Sequence, residues 1–209
     1  MRLNQKIVIV DYGIGNTHSV FNAITFLGYH KLTISDKESI INNADVLLLP
    51  GVGAFDQSVR NLKERGLIDI LNEQVIIKKK PILGICIGLQ LFATFSEENG
   101  LHEGLNWIEG TVKKLDLAKN FAVPHVGWNN VISSKNESLF NRNLDNSNFY
   151  FDHSYSLECA DEHVAAYCDY GKKVTAAVQK ENIFGVQFHP EKSQTNGLKL
   201  FRNFFNSIE

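Results

Sequence analysis

The sequence predicts an α/β fold whose central, mostly parallel mixed sheet carries helices on both faces. In the first half, short continuous apolar runs alternate with segments of helical spacing, a pattern typical of buried parallel strands. In the second half, strand-like runs follow one another without helices between them, which indicates antiparallel pairing. The chain has 209 residues, 44% of them hydrophobic, enough for one compact domain over residues 1–209.

The first-half elements follow from apolar spacing and from glycine and proline breaks. The predicted elements are a strand over 6–11, a helix over 17–27 with Gly28 after its end, strands over 32–35 and 44–49 with Pro50-Gly51 halting the second, one or two helices over 55–80 with a break near Gly66, a strand over 82–85 and a helix over 87–95.

The second-half elements follow from strand-like runs and one closing amphipathic segment. The predicted elements are strands over 107–115, 149–155, 163–168, 174–180 and 183–188, a hairpin turn at Glu181-Asn182, a loop over 141–148 and a helix over 195–208.

Composition argues against several classes of protein. The net charge is -2 and the pI is near 6.4. The chain therefore lacks the surplus of basic residues that would indicate binding to nucleic acid or to an anionic membrane. Three cysteines do not resemble a disulfide framework and favour a reducing, cytoplasmic setting. The apolar run over 7–10 is too short for a signal peptide or a membrane span.

The segment around Cys86 has the form of a nucleophile elbow, a sharp strand-to-helix turn that presents a nucleophile. Cys86 follows a buried run and stands between Gly84 and Gly88, which let the neighbouring backbone approach closely. The predicted helix points its N-terminus at the thiol and favours the thiolate, and the Ile87 amide is a natural oxyanion donor. Taken alone, the segment fits a buried structural cysteine equally well.

A second chemistry-bearing segment, His189-Pro-Glu191, follows the last predicted strand. Alternation along 186–189 places His189 on the more polar face, and the proline after it ends the strand. Glu191 lies close enough in sequence to hydrogen-bond the imidazole. A thiol needs a base to become a good nucleophile, and the base needs an orienting carboxylate. With Cys86, this segment predicts a cysteine-nucleophile enzyme.

Two glycine-rich loops follow strands of the first half. The turn over 49–55 exposes backbone N–H groups toward the carboxyl edge of the sheet, where they can hold an oxyanion. The loop Tyr12-Gly-Ile-Gly-Asn16 lacks the third glycine of a dinucleotide fingerprint and the lysine of a P-loop. Because the histidines also lack metal-ligand spacing, the sequence predicts no metal and no cofactor.

Together these motifs resemble the triad-type class I glutamine amidotransferases. The resemblance spans Lys6 to Phe205, and further segments are similar to the family of glutaminase subunits of imidazole glycerol phosphate synthases. The segments that carry it are Pro50-Gly-Val-Gly53, Gly84-Ile-Cys-Ile-Gly-Leu-Gln90, Pro124-His-Val-Gly-Trp-Asn129, Tyr150-Phe-Asp-His-Ser-Tyr155 and Gln187-Phe-His-Pro-Glu-Lys-Ser193.

The resemblance implies hydrolysis of glutamine to glutamate and ammonia. Cys86 would attack the side-chain amide carbon, His189 would activate the thiol and protonate the leaving ammonia, and Glu191 would orient His189. The other implied roles are oxyanion binding by the backbone of Gly51, Val52, Gly53 and Ile87, and glutamine binding by Gln90, Glu98, Ser154 and Tyr155. Glu97 stays an alternative to Glu98.

The resemblance also implies a partner. This is a (β/α)₈ cyclase or synthase subunit that receives ammonia through a channel in a heterodimer and makes imidazole glycerol phosphate and AICAR in histidine biosynthesis. The residues that match the docking face are Asn16, His125, Trp128, Tyr150 and Lys192.

Asp152 departs from the family pattern, which commonly has an apolar residue before His-Ser-Tyr. A carboxylate at this position would alter contact with the partner. Related glutaminases that supply sugar amidotransferases of surface-glycan pathways therefore remain an alternative. Two further alternatives are a stand-alone cysteine hydrolase and a binding-only scaffold subunit.

Overall fold

The computed structural model describes residues 4–134, 139–140 and 144–208. It contains two β-sheets flanked by helices. The strands are β1 Ile7–Val10, β2 Leu32–Ser35, β3 Val46–Gly51, β4 Ile82–Cys86, β5 Ala93–Ser96, β6 His102–Glu103, β7 Ile108–Lys114, β8 His125–Ser133, β9 Ser147–His153, β10 Tyr155–Cys159, β11 Val164–Asp169, β12 Lys173–Lys180 and β13 Ile183–Val186. The helices are α1 Thr17–Phe26, α2 Glu38–Asn42, α3 Phe55–Glu64, α4 Leu67–Asn72, α5 Ile87–Gln90 and α6 Gln194–Ser207. A π-helical segment, Glu73–Ile77, continues α4, and 3₁₀ turns cover Asp161–His163 and Pro190–Lys192.

The larger sheet is mixed, with the order β2-β1-β3-β4-β13-β12-β11-β8-β9. Neighbours pair in parallel from β2 through β13 and antiparallel from β13 through β9. This mixed sheet with its helices confirms the predicted fold class. A smaller sheet, in the order β10-β7-β5-β6, was not foreseen as a separate layer.

The central strands are buried on both faces, as their continuous apolar sequences require. Along β1, Ile7 and Ile9 pack into one core cluster with α1 and α6, whereas Val8 and Val10 pack into the other. That second cluster also contains apolar residues of α2, α3, α4 and the smaller sheet. The alternation of side chains along a strand thus builds a core on each face of the sheet.

Several local predictions match the structure closely. The strand predicted over 32–35 is β2, and the helix predicted over 17–27 is α1, followed by Gly28 with a φ of 93°. Gly66, with a φ of 66°, separates α3 from α4 as the predicted break requires. The two-residue hairpin at Glu181-Asn182 joins β12 to β13. Turn-forming residues therefore marked these boundaries reliably.

The helix predicted over 87–95 is wrong beyond its first turn. Only α5 is helical, and the chain then enters β5 in the smaller sheet. The Trp107 backbone N–H donates to the Phe92 carbonyl, and the two aromatic rings stack with centroids 5.0 Å apart. This non-local pairing outweighs the local helical spacing. The short helix α2, between the strands predicted over 32–35 and 44–49, was also not predicted.

The second half differs from its prediction in three places. The strand β8 was missed because its glycine and paired asparagines have low strand propensity, and pairing with β9 and β11 holds it in the sheet. The strand predicted over 149–155 is two strands, β9 and β10, which lie in different sheets and meet at Ser154. Of the loop predicted over 141–148, residues 141–143 lie outside the described part, and 147–148 begin β9.

The approach of α5 to β3 gives a test of the fold. A Cβ at Gly88 would overlap the Leu49 carbonyl, which belongs to β3 backbone and cannot rotate away. We expect Gly88→Ala to lower the free energy of unfolding in urea by about 3 kcal/mol or more. Gly66→Ala is the matched control, because it adds left-handed strain of about 1 kcal/mol in open space. Equal losses in the two variants would contradict this packing.

Candidate active site

Cys86 sits in a strained turn at the carboxyl end of β4. Its φ of 55° and ψ of -110° lie outside the regions that side-chain-bearing residues favour. A Cβ at Gly84 would lie 2.6 Å from Phe92 Cζ, so the glycines flanking the turn allow the backbone to pack this tightly. The predicted elbow is present, but α5 is a single turn, which leaves less helix dipole at the thiol than the sequence suggested.

His189 and Glu191 form a buried pair after β13. The Nδ1 atom of His189 lies 2.8 Å from Oε1 of Glu191, and the two side chains are 2% and 1% exposed. Because β13 pairs in parallel with β4, the segment that follows β13 emerges at the same sheet edge as Cys86. The structure therefore brings together the three residues that the sequence selected as nucleophile, base and orienting carboxylate.

The electrostatics of His189 favour its charged form. Burial alone lowers the pKa of the ring, but hydrogen bonds and charges from Cys86 and Glu191 outweigh it and raise the pKa to about 10. An imidazolium beside a cysteine stabilises the thiolate, which is the nucleophilic form of the residue. Glu191 Oε1 accepts a hydrogen bond from the Nδ1–H of His189, which leaves Nε2 as the ring nitrogen for the hydrogen bond with Cys86. This arrangement can carry out thiolate attack followed by proton donation to a leaving group.

A cavity of about 270 Å³ opens above the sulfur atom. Its lining includes most of the residues that the sequence selected for oxyanion and substrate binding. The lining residues are Val52, Gly53, Cys86, Ile87, Gln90, Glu98, Pro124, Asp152, His153, Ser154, Tyr155 and His189. His153, Ser154 and Tyr155 enter the cavity because the chain changes sheets there, a feature that the sequence prediction missed.

Glu98, rather than Glu97, reaches the cavity. The Oε2 atom of Glu98 accepts a hydrogen bond of 2.8 Å from the backbone N–H of Phe55, at the start of α3. Glu97 instead donates its backbone N–H to Val112 in the smaller sheet, and its side chain is absent from the cavity lining. Geometry thus favours Glu98 for the role that the sequence left open between the two.

Close packing against Cys86 and Tyr12 holds the start of the turn between β3 and α3. Gly51 pairs with Cys86 across β3 and β4, and a Cβ at Gly51 would overlap the buried Tyr12 hydroxyl. Burial, followed by the charge of Cys86, raises the pKa of Tyr12, so this phenol stays neutral. Contrary to the prediction, β3 runs through Pro50-Gly51 rather than halting before them. The strand therefore delivers Val52 and Gly53 directly to the cavity rim.

Two neutral histidines lie beside the charged one. His153 donates from Nδ1 to the Tyr155 carbonyl at 2.9 Å, so its Nε2 accepts from Nδ1 of His125 at 3.0 Å. Burial lowers the pKa of both rings to about 4, and at His153 the charges of His125 and His189 add to the effect. The sequence pattern offered no signal for this pair, because its members are 28 residues apart.

His125 differs from its predicted place on a docking face. Its side chain is 3% exposed and stacks on Tyr170 and Phe151, with ring centroids 3.8 and 4.7 Å away. It therefore offers no surface to a partner. The inward orientation follows from its hydrogen bond to His153, which lines the cavity.

The other predicted docking residues lie nearer the surface. Trp128 is 47% exposed and pairs with Tyr150 across β8 and β9, with ring centroids 6.2 Å apart. The Lys192 ammonium lies 5.4 Å from the Tyr150 ring centroid, which completes an aromatic and cationic patch. Asn16 is half-buried before α1, and Asp152 is exposed at the cavity mouth.

No group of three or more histidine, cysteine, aspartate and glutamate side chains within residues 4–134, 139–140 and 144–208 has an arrangement that could hold a metal ion. None of the helices in this part of the chain is long and apolar enough to cross a membrane.

Comparison with known proteins identifies close relatives of this sequence. Residues 8–208 match the family model described as glutamine amidotransferase class-I. The imidazole glycerol phosphate synthase subunit HisH 2 of Vibrio vulnificus is 46% identical over 204 residues, covering 98% of this chain and 95% of the relative. Subunit HisH 1 of Campylobacter jejuni strain RM1221 is 48% identical over 199 residues, covering 95% and 98%.

Solved structures support the fold at lower identity. A structure described as a glutamine amidotransferase superposes with a TM-score of 0.76 at 17% identity, covering 96% of this chain and 98% of the other. A glutamine amidotransferase from Thermotoga maritima superposes with a TM-score of 0.61 at 15% identity, covering 96% and 82%. At these identities the likeness shows the shared fold.

The neutral pair of His125 and His153 makes the free energy of unfolding depend on pH. Between about pH 6.5 and 4 the unfolded chain binds more protons at His125 and His153 than the fold does. Their contribution to the free energy of unfolding is thus full above pH 6.5 and lost as pH falls toward 4. In urea unfolding series, His153→Gln should weaken this pH dependence. The exposed His18→Gln should follow the wild type, and an unchanged slope in His153→Gln would contradict neutral burial.

Proposed function

Because this chain belongs to the class-I glutamine amidotransferase family, we propose that it is the glutaminase subunit of an imidazole glycerol phosphate synthase. Relatives of that name, 46% and 48% identical over at least 95% of each chain, support this assignment. The observation that carries the activity is the alignment of Cys86, His189 and Glu191 at one edge of the sheet. The product is ammonia for histidine biosynthesis.

The proposed reaction begins with the Cys86 thiolate. The sulfur attacks the side-chain amide carbon of glutamine, and the electron pair of the C=O bond moves onto oxygen. As the adduct collapses, the C–N bond breaks and His189 gives its proton to the departing nitrogen, which leaves as ammonia. Water, deprotonated by His189, then attacks the thioester, breaks the C–S bond and releases glutamate. Glu191 keeps the imidazole oriented throughout.

Backbone N–H groups are proposed to hold the negative oxygen. Val52, Gly53 and Ile87, which directly follows Cys86, line the cavity, and Gly51 precedes them at the end of β3, paired with Cys86. The glycines allow the turn to take conformations closed to other residues, as the φ of 95° at Gly53 illustrates. Donors fixed in this way are effective because they need little reorganisation during the reaction.

The amino-acid end of glutamine is proposed to bind at the opposite side of the cavity. Glu98 supplies a carboxylate for the ammonium group, and Gln90 supplies an amide whose Oε1 atom is buried without a hydrogen-bond partner in the described structure. Ser154 and Tyr155 supply backbone at the change of sheets. The cavity volume of about 270 Å³ is large enough for one amino acid.

The synthase partner is proposed to dock on the patch formed by Trp128, Tyr150 and Lys192. Aromatic residues are enriched at interfaces because they bury a large area with few rotatable bonds. Docking here would act directly on the catalytic segment, since the backbone N–H of His189 donates to the Tyr150 carbonyl at 2.8 Å. The Tyr150 N–H in turn donates to Ser193 Oγ at 3.0 Å.

A channel to a (β/α)₈ partner fits the chemistry of the product. In neutral water, ammonia is mostly protonated, and ammonium has no free electron pair with which to attack a substrate. A direct passage from the cavity to the partner's active site would keep the neutral form available. The sugar-pathway alternative would use the same glutaminase chemistry with another acceptor, and the names of the relatives favour the synthase.

The assignment of roles predicts an order of severity among active-site variants. Cys86→Ala should abolish glutamate formation, because it removes the attacking atom. His189→Ala should lower the rate much more than Glu191→Gln, because the base transfers protons and the carboxylate orients it. Rates are measured with the partner present, and circular dichroism verifies folding. Cys159→Ala, whose thiol lies outside the cavity, is the control. A more damaging Glu191→Gln would refute these roles.

The proposed docking surface predicts that removal of the Trp128 indole weakens binding to the partner and leaves basal hydrolysis nearly unchanged. Trp128→Ala should weaken binding to the (β/α)₈ synthase subunit of the same organism by about 2 kcal/mol, or roughly 30-fold in Kd. Basal glutamine hydrolysis by the isolated chain should change far less. Ile77→Ala is the matched control, because Ile77 is also exposed but lies before β4, at the opposite end of the sheet from the cavity. Equal binding by both variants would argue against this docking face.

A further inference from the structure

Gln187 has a buried amide that points at the candidate nucleophile. The residue follows β13, has no exposed surface, and is anchored by a backbone hydrogen bond of 2.8 Å to the Ala176 carbonyl. Its Nε2 atom lies 3.8 Å from Cys86 Sγ, within the longer reach of a hydrogen bond to sulfur. Gln187 belongs to the sequence motif over 187–193, in which no chemical role was predicted for it. Its position singles it out as a neighbour of the reacting atom.

The direction of this amide is fixed by a chain of contacts. Gln90 Nε2 lies 3.0 Å from the Tyr155 carbonyl, which can only accept, so the NH₂ group of Gln90 must face it. The same Nε2 lies 3.0 Å from Gln187 Oε1 and donates to it. With its oxygen committed to Gln90, Gln187 turns its NH₂ group toward Cys86. A backbone carbonyl thus sets the orientation of two side chains in series.

We infer that Gln187 donates an N–H to the Cys86 sulfur and that Gln90, acting through Gln187, positions this donor. The inference deepens the proposed function and rests on it for its role in catalysis. A thiolate accepts a stronger hydrogen bond than a thiol, so the contact favours the reactive form. It also limits rotation of the sulfur, which keeps the nucleophile directed into the cavity. Gln187 is then a neutral donor to sulfur, complementary to the charged His189.

A structural role is the competing explanation, because buried glutamines also satisfy polar groups in cores. Gln74 is such a residue, since it is 1% exposed and donates to Asn42 Oδ1 at 2.7 Å. The reactivity of the sulfur distinguishes the two roles. The titratable groups that face Cys86 or line its cavity are Tyr12, Glu98, Asp152, His153, Tyr155, His189 and Glu191. A substitution at Gln187 leaves all of these groups in place, so a shift in sulfur reactivity reports on the amide.

The test follows alkylation of the full-length chain by iodoacetamide over a range of pH. Peptide mass spectrometry quantifies modification at Cys86 separately from the other two cysteines. In Gln187→Met, which keeps an unbranched chain of similar size, the pH of half-maximal alkylation should rise by about one unit, the tenfold effect of losing one hydrogen bond to a charged atom. Gln74→Met should keep the wild-type profile. An unchanged profile in folded Gln187→Met would overturn the inference.

A second variant at Gln187 and a double-mutant cycle with Gln90 complete the test. If Gln187→Met does not fold, Gln187→Leu provides the same measurement, because its uncharged side chain offers the sulfur no donor and should raise the half-maximal pH by a similar amount. Gln90→Met should give a smaller rise, and the double variant with Gln187→Met should match Gln187→Met alone. Additive shifts would overturn the positioning role of Gln90. Alkylation needs neither glutamine nor partner, so failed glutamine turnover would refute the proposed function without altering this result.

Discussion

The strained turn at Cys86 is the constraint on which the rest of the site depends. The combination of a φ of 55° with a ψ of -110° is strained for a residue with a side chain, and it persists only where the surrounding structure enforces it. Here, α5 packs so closely that Gly88 contacts the Leu49 backbone of β3, and Phe92 fills the space beside Gly84. Because β4 lies between β3 and β13, the same packing sets the distances from the sulfur to the turn between β3 and α3 and to His189.

The three histidines near the cavity show how partners decide the charge of a buried ring. His189 contacts a carboxylate and a thiol, and their charges overcome the cost of burial, so its pKa rises. His153 donates to a carbonyl, but its second nitrogen faces only another neutral ring, so burial dominates and its pKa falls. Protonating His153 would also place a second positive charge near His189. The neutral pair therefore leaves the His189 imidazolium as the only ring of the three that carries charge near pH 7.

The sequence revealed the parts of the site that depend on local pattern. Glycines around Cys86 and the proline after His189 mark sharp chain turns at strand ends, and such turns are encoded by adjacent residues. It could not reveal contacts that depend on strand order. The helix predicted over 87–95 gave way to β5 because distant residues of the smaller sheet pair with it. Likewise, Gln187 meets Cys86, 101 residues away, only because β13 and β4 are neighbours.

The turn between β3 and α3, proposed to hold the oxyanion, is anchored at both of its ends. Its first end is tied to Cys86 through Gly51, and its second end is tied to Glu98 through the Phe55 N–H. Only residues 52–54 lie between these anchors, and Val52 is exposed. If Glu98 binds the ammonium group of glutamine, the substrate and Phe55 compete for the same carboxylate. Substrate binding would then weaken the hydrogen bond that anchors the end of the turn at Phe55, while the deeper pair, His189 and Glu191, stays in place. Recognition of the substrate would thereby act on the oxyanion donors through one shared side chain.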